Sequence, residues 1–482
     1  MHSRVAPCLL LLSAVLASCS DDGSSVPPDG QIFGELGPLP DYGVLPSGPL
    51  PTIVNLDWNA FPKDPGPDYP VSGRTWVVKT GGNDSAAGTD AAPLRTIVKA
   101  LQRAAGGDKV LVHGGSYNER WPEDFRALII SKPLVLTAAA GAPVTVTSSE
   151  SYGISIESSN VVVNGINLTG FTYAIQIGSS TPQKNVVISN LRITATGTED
   201  EGIVAYDPGT PATSDGLLIK NVTITGVQMG VSCNVGPCRS WRLENVRVVG
   251  AGGSGSGADA IAVEKGDNFL FYGVDVSNVA ADGIDTKATR VVVWNCHVHD
   301  LQRNGVKLWR GGDVVNTRIH HTGADAAVVG EYQGTYRLLH TLVAYHNKGG
   351  DSSYNATFGY DSQEALEIQI VNSIFYNHAS CTYFNDASTV LIDNSIFFGM
   401  DDGQVVQKGS KVVTLSDGPA ALNMGSDNQF VDPMLTADFH LQAGSPAGNK
   451  AKTLGASYPT TDCLGRPRIK GDKPDIGPFE DL

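Results

Sequence analysis

From about residue 74 onward, apolar and polar positions alternate in short runs that recur at a nearly constant spacing. Asn190, Asn221, Asn245, Asn295, Asn372 and Asn394 each open such a run, as in Asn245-Val246-Arg247-Val248 and Asn394-Ser395-Ile396-Phe397. Gly273 and His340 fill the same column where asparagine is missing. An apolar run precedes each, such as Val291-Val292-Val293 or Ile368-Gln369-Ile370. In the central part a second run follows, as in Gly202-Ile203-Val204, Gly283-Ile284-Asp285 and Gly305-Val306-Lys307, and most repeats span 22 to 31 residues. Three short strands per repeat, one apolar face and a polar ladder at the corner predict an all-β solenoid of the parallel β-helix type. Stacked amides at a tight turn satisfy one another and the backbone, so the asparagine column reads as structural. Placing Asn295 at the corner turns Cys296 and Val298 inward and His297 and His299 outward.

The open ends of a solenoid expose unpaired strand edges and need covers. Residues 93–105 are amphipathic, with Leu94, Ile97, Val98, Leu101 and Ala105 on one face and Pro93 near the start, which predicts a capping helix at the N-terminal end. Residues 428–482 carry several Pro and Gly and no clear repeat, and are expected to close the other end irregularly. The solenoid itself is expected over 73–427.

The chain begins differently. Arg4, an apolar stretch from Leu9 to Leu16, and Leu16-Ala17-Ser18-Cys19 read as an export signal over 1–19, too short to span a bilayer as a helix. Cysteine at the processing site followed by Ser20-Asp21-Asp22 resembles a bacterial lipoprotein signal, with Cys19 the lipidated residue. Residues 20–72 are rich in Pro, Gly, Ser and Asp and read as a linker holding the solenoid away from a membrane. The expectation is an exported protein, lipid-anchored or secreted, that touches a membrane only through that anchor and acts as a monomer. Export permits a disulfide between Cys233 and Cys238, which bracket Asn-Val-Gly-Pro. Cys296 reads as an inert core thiol, and the pairing of Cys381 and Cys463 stays open.

A formal charge of −15 lacks the basic footprint of a nucleic-acid binder. The balance reverses locally. Between 287 and 348 lie Lys287, Arg290, Arg303, Lys307, Arg310, Arg318, Arg337 and Lys348 against Asp300, Asp313, Asp325 and Glu331, with six of the ten histidines.

Stacking the second strands places Glu201, Asp259, Asp282 and Asn304 in one column, Ala262, Asp285 and Lys307 in the next, and Glu264, Lys287 and Trp309 in another. Asp285 and Lys307 are then neighbours on adjacent strands, about 5 Å apart. Carboxylates one rung apart repel unless a cation lies between them. Asp259, Asp282 and Asp285, with Glu264, are the hard oxygen ligands calcium prefers.

Two end segments carry a resemblance. Gly81-Gly82-Asn83-Asp84, Gly88-Thr89, Ala92-Pro93, Thr96-Ile97, Gly107-Asp108 and Gly114-Gly115-Ser116-Tyr117 look like the entry segment of right-handed β-helix proteins, frequent in family 9 pectate lyases. Gly444-Ser445-Pro446 and Asp475-Ile476-Gly477-Pro478-Phe479-Glu480 resemble the end segment of such proteins, so the resemblance runs from about 74 to 482. Ala281-Asp282-Gly283-Ile284-Asp285 is similar to the family's calcium-binding Asp-Asp-Gly-Phe-Asp run, and Asn304-Gly305-Val306-Lys307 to the run holding its lysine base. The resemblance implies calcium-assisted β-elimination of an acidic, uronate-containing polysaccharide. It makes Asp282, Asp285 and the earlier Asp259 calcium ligands, and Lys307 the base. Ala281 stands where the family has its first Asp, which invites Glu264 or water as a replacement. Beside this base, a nearby cation and Arg303 or Arg310 would lower the lysine pKa, one of these arginines would clamp the substrate carboxylate, and Trp309 would stack on a sugar ring.

Other readings compete. Asp285 and Lys307 form, on the plainer reading, a surface ion pair worth a few tenths of a kcal/mol, about what cross-strand pairs contribute. A non-catalytic solenoid that binds glycans or mediates adhesion would need no base. His297, His299, His320 and His321 fall on adjacent rungs of the outer face, read as a solvated ladder before a zinc site. An inverting glycoside hydrolase would use carboxylates such as Asp401-Asp402 or Glu199-Asp200-Glu201, on separated coils.

Overall fold

The computed structural model describes residues 56–63, 72–178, 183–197, 200–205, 214–234, 236–252, 258–323, 326–347, 354–454 and 459–482. The expected signal with Cys19, and linker stretches 20–55 and 64–71, lie outside the described residues. The chain winds as a right-handed parallel β-helix. Each complete coil places two strands, or in three coils the single long strands Gln183–Thr194, Ser214–Thr225 and Cys238–Val249, in a sheet of 22 and one strand in a sheet of 13. In the smaller sheet the strands follow one another in chain order, from Arg126–Ile130 to Lys411–Thr414. Among the described strands every pairing is parallel except the last, Gln404–Lys408 with Lys411–Thr414, which folds back as a hairpin.

The asparagine column forms a corner in the larger sheet, inside the long strands at Asn190, Asn221 and Asn245 and between two strands at Asn295, Asn372 and Asn394. Asn190, Asn221, Asn245, Asn295, Asn372 and Asn394 all take a positive φ of 50 to 57°, as do Gly273 at 62° and His340 at 48°. A left-handed residue turns the chain sharply, and asparagine tolerates that conformation better than most residues with a side chain. Asn190 Nδ2 donates to Asn164 Oδ1 at 2.7 Å, Asn221 to Asn190 at 2.9 Å and Asn245 to Asn221 at 3.2 Å. The amides thus link Asn164 to Asn245, and the ladder stops at Gly273, leaving Asn245 Oδ1 without a hydrogen bond among the described residues. Inside the corner the side chains alternate, so Cys296 and Val298 are buried while His297 and His299 face outward. Core columns are continuous: Ile219, Leu243, Phe271 and Val293 stack in register, each fully buried. Burying such a side chain contributes roughly 1.5–3 kcal/mol.

The N-terminal helix is shorter than its amphipathic pattern. It runs Ile97–Arg103, with Thr96 as N-cap, and packs on the strands Thr75–Val78, Lys109–Val112 and Arg126–Ile130. Leu94 is bridged to Val78, and the amides of Arg95 and Thr96 bind Asp84, so the chain before Thr96 is held extended. The Glu119 carboxylate then accepts the amides of Ile97 and Val98 at 2.8 and 3.0 Å, satisfying two of the free N–H groups of the first turn.

The far end is closed irregularly, as expected, and its segment reaches beyond the cap. Leu422, Met424 and Phe430, after the hairpin, pack against the main core. Much of 428–482 instead returns along the flank, burying Phe439, Leu441, Ala447, Ile476 and Phe479 against Leu342, Ile374 and Ile396. The corner column draws it there. Asn372 and Asn394 donate to the carbonyls of Lys452 and Lys450, Asn316 donates to Thr461 O at 2.8 Å, and buried Arg468 binds Asn316 Oδ1. Within the expected linker, residues 56–63 are likewise docked. Leu56 and Phe61 cover an outward apolar strip that includes Tyr272, Val292 and Trp294, and Asp57 N donates to Asn268 Oδ1 at 2.8 Å. No helix among the described residues is long and apolar enough to cross a membrane.

Candidate functional site

Three consecutive rungs of the smaller sheet carry the polar columns. Ile261–Val263, Ile284–Thr286 and Val306–Leu308 pair in register, with Ala262 beside Asp285 and Asp285 beside Lys307. The glycine before the second and third rungs has a steric cause, while Ala260 opens the first. A Cβ on Gly283 would meet Gly305 O at 2.7 Å, and one on Gly305 would meet Ala327 O at 2.5 Å. Glycine therefore lets the rungs stack closely enough for their polar side chains to meet.

Asp259, Asp282 and Asn304 stand at the start of the rungs and bind one another in sequence. Asp259 Oδ1 accepts from Asp282 N at 3.1 Å, and Asp282 Oδ1 accepts from Asn304 N at 3.0 Å and Asn304 Nδ2 at 2.8 Å. Asn304 Oδ1 continues the column by accepting from Ala326 N at 2.9 Å. Asp259, Asp282 and Asp285 each bring a carboxylate oxygen within 4.8 Å of the others. Burial first, then the neighbouring Asp282, pushes Asp259 up to about 6. Burial also raises Asp285, against the pull of Lys307 and the Trp309 hydrogen bond.

Lys307 closes the group. Its Nζ lies 3.0 Å from Asp282 Oδ2 and 3.3 Å from Asp285 Oδ2. Burial works to lower its pKa, but Asp285 and Asp282 outweigh that and hold it above the usual lysine value. The two carboxylates in contact with it, and no arginine, dominate its charge environment.

Trp309 is fixed beside the cluster. Its Nε1 donates to Asp285 Oδ1 at 2.5 Å, Lys307 Nζ lies 4.9 Å from its ring, and Tyr332 stacks on it at 5.7 Å. It walls two adjoining clefts. One, of about 510 Å³, is lined by Arg303, Asn304, Lys307, Glu331, Tyr354 and Tyr360 among others. The other, of about 600 Å³, is lined by Glu264, Lys287, Arg310 and Tyr332 among others. Arg303 therefore shares the lysine's cleft, whereas Arg310 lies across the tryptophan, over Tyr332 at 5.5 Å.

Glu264 is not brought to the three aspartates. It lies just past the end of its strand, exposed, and pairs with Lys287 one rung on. The sequence reading missed Glu331, Tyr354 and Tyr360. The rung after Trp309, where Tyr332 N binds Trp309 O at 2.8 Å, was the available signal for Glu331. Tyr354 and Tyr360 come from a later coil whose spacing marks nothing.

Elsewhere Cys233 and Cys238 are joined, and Cys296, Cys381 and Cys463 are free and buried. Burial pushes the Cys296 thiol up to about 12, leaving it unreactive. Asp200 caps its own turn by accepting the amides of Thr196 and Gly197, and Asp402 accepts from Ser380 Oγ at 2.6 Å.

Residues 80–255 match a family described as a protein of unknown function (DUF1565), a match that ends before Asp259. No curated protein matches the chain in sequence. Among solved structures, the chain is similar to the pectate lyase Pel9A at 13% identity, over 85% of this chain and 97% of that one, with a TM-score of 0.41. It is similar to XylC in complex with xylose at 11% identity, over 85% and 98%, with a TM-score of 0.43. The A-module of the Azotobacter vinelandii mannuronan C-5 epimerase AlgE6 matches at 12% identity, over 73% and 97%, with a TM-score of 0.41.

Proposed function

We propose that this protein is an exported lyase that cleaves an acidic, uronate-containing polysaccharide with the help of calcium. The observation that carries the reading is the packing of Asp259, Asp282 and Asp285 around Lys307 at the wall of a cleft. Three carboxylates and one ammonium leave an excess of two negative charges. Their oxygens, all within 4.8 Å of one another, are close enough to share one calcium ion at its usual 2.3–2.6 Å bond lengths. The donor set fits a hard divalent cation, with water completing the six to eight ligands where Ala281 supplies none.

When bound, calcium supplies positive charge that neutralises the substrate carboxylate and stabilises charge developing at C5. Asp259, Asp282 and Asp285 would hold it. Lys307, once unprotonated, takes the C5 proton; the electron pair forms the C4–C5 double bond, and the C4 oxygen leaves and gains a proton from water. With Asp282 and Asp285 engaged by the cation, burial alone acts on Lys307 and favours its neutral form. Arg303 binds the uronate carboxylate from the same cleft, and Trp309 offers its ring to a sugar. Glu264 has no part. The N-terminal signal and Cys19 would place the enzyme on the cell surface through a lipid.

A glycan-binding solenoid without catalysis is the second reading, favoured by the closed contact of Lys307 with both carboxylates. Absorbance of unsaturated uronate on polygalacturonate, pectin and alginate, with calcium and with chelator, decides between them. Calcium-dependent product lost in Lys307→Ala supports the lyase. Polymer binding without product from the folded protein supports the binder.

A further inference from the structure

We propose that His297, His299 and His320 form a binding site for a divalent transition-metal ion, zinc in particular, on the other sheet from the carboxylate cluster. The residues lie on the neighbouring strands His297–Leu301 and Arg318–Thr322, where His299 and His320 are register partners and His297 precedes His299 by two on the same outer face. Their rings converge. His297 Nε2 lies 2.7 Å from His320 Nε2, His297 stacks on His299 at 3.9 Å between centroids, and His299 stacks on His320 at 5.0 Å. Each ring offers a nitrogen within 4.8 Å of the other two.

Each ring also meets a neighbour on its opposite side. His299 Nδ1 is bound to Asp300 Oδ2 at 2.6 Å, His320 Nδ1 to His321 Nδ1 at 2.8 Å, and His297 Nδ1 lies 3.6 Å from Asp275 Oδ2. In all three, Nδ1 faces a neighbour, while Nε2 of His297 and Nε2 of His320 face each other, where a metal ion would replace their mutual contact. That is how metal-bound histidines are generally oriented, with the far nitrogen held by a carboxylate or other polar group. A ladder of solvated histidines would need no such backing. It would also stay open to water, whereas His320 is only 7% exposed, under Phe439 of the returning C-terminal segment at 4.6 Å.

The charges nearby alternate, Asp275 and Asp300 against Arg247, 3.5 Å from Asp275, and Arg318, the register partner of His297. Tetrahedral zinc held at 2.0–2.1 Å sets its ligand nitrogens about 3.3 Å apart, so the closest pair must spread by about 0.6 Å. His297 and His299 keep 16% and 19% of their side chains exposed, leaving a side through which water completes the fourth position. Three imidazoles select zinc and its transition-metal neighbours, while calcium prefers the oxygen cluster.

The test is titration of the metal-stripped full chain with zinc chloride in excess calcium, followed by calorimetry, with cobalt(II) as a coloured substitute. One zinc per chain is expected, with visible cobalt bands of tetrahedral type. His299→Gln should lose that uptake, Asp300→Asn should bind 10- to 100-fold more weakly, and Asp282→Asn should bind as the wild type does. Melting of the metal-free variants checks that they fold, and Asp300→Asn decides the question should His299→Gln fail to fold. No uptake by the wild type, or undiminished uptake by His299→Gln or Asp300→Asn, overturns the proposal.

Discussion

Lys307 Nζ lies between Asp282 and Asp285, 3.0 Å from one carboxylate and 3.3 Å from the other, and so occupies the place a cation would take between them. Lysine and calcium therefore compete for the same oxygens. Lys307→Ala should bind calcium more tightly than the wild type while losing at least about 100-fold in lyase rate, the usual scale for removing a general base. In chelator it should be destabilised by about 1–3 kcal/mol, because two buried carboxylates lose their partner. Calcium should restore much of that loss. Melting curves with and without calcium check this, and an equal loss in both conditions would remove the competition argument.

Trp309 separates the two clefts and holds Asp285 through its indole N–H. Trp309→Phe keeps a ring but drops that hydrogen bond, whereas Trp309→Ala removes both. If the ring is a sugar platform, Phe should retain most polymer affinity and Ala should lose roughly tenfold, on the order of 1.4 kcal/mol. Arg303→Ala should weaken binding of an acidic polymer more than Arg310→Ala, since only Arg303 lines the cleft of Lys307. Titrations with defined uronate oligomers would show the ranking, and equal effects of the two arginines would argue against Arg303 as the carboxylate clamp.

What could be read from the sequence follows from which constraints are local. The asparagine corner recurs because each coil needs one left-handed residue, so the period was visible without any long-range contact. The Asp285–Lys307 pairing followed from that period, since the one-coil offset between the two matching runs puts the two side chains in register. Glu264 had the right column but sat past its strand end, where the chain turns toward Lys287. Leu56 and Phe61 looked like linker residues because the apolar strip they cover belongs to coils more than 200 residues away. The return of 428–482 along the flank likewise depends on Asn316, Asn372 and Asn394 donating to distant carbonyls. The lysine's raised pKa came from two contacts whose distances no spacing reveals.

The corner column separates two effects that asparagine combines. Asn221 holds a φ of 53° and links Asn190 to Asn245 through its amide. Asn221→Gly keeps the left-handed turn and loses the amide ladder; Asn221→Ala loses both. Alanine should therefore cost about 1–2 kcal/mol more than glycine, the penalty for a left-handed residue with a Cβ. Denaturant unfolding of the pair measures it. Equal stability of the two variants would mean that the amide ladder, and not the backbone turn, selects asparagine there.

Asp313 gives the fold a pH dependence of its own. Its side chain is fully buried, neither carboxylate oxygen has a hydrogen bond among the described residues, and Arg337 Nη1 lies 3.5 Å away. Burial pushes its pKa up to about 8, against the pull of Arg337. Below about pH 4 the group is protonated in both the folded and unfolded chain and costs nothing. As pH rises from there, the unfolded chain releases the proton while the folded chain keeps it, so stability falls until both forms are ionised above about pH 8. Asp313→Asn, which stays neutral, removes this slope. Its advantage over the wild type should be small at about pH 4.5 and grow to a few kcal/mol at about pH 8.5, since a tenfold difference in proton affinity between the folded and unfolded chain is worth about 1.4 kcal/mol. Because every other titrating group is common to both chains, the difference between their unfolding curves at the two pH values isolates this one carboxyl. A difference that stays constant with pH would mean that Asp313 is ionised in the folded protein and paired with Arg337.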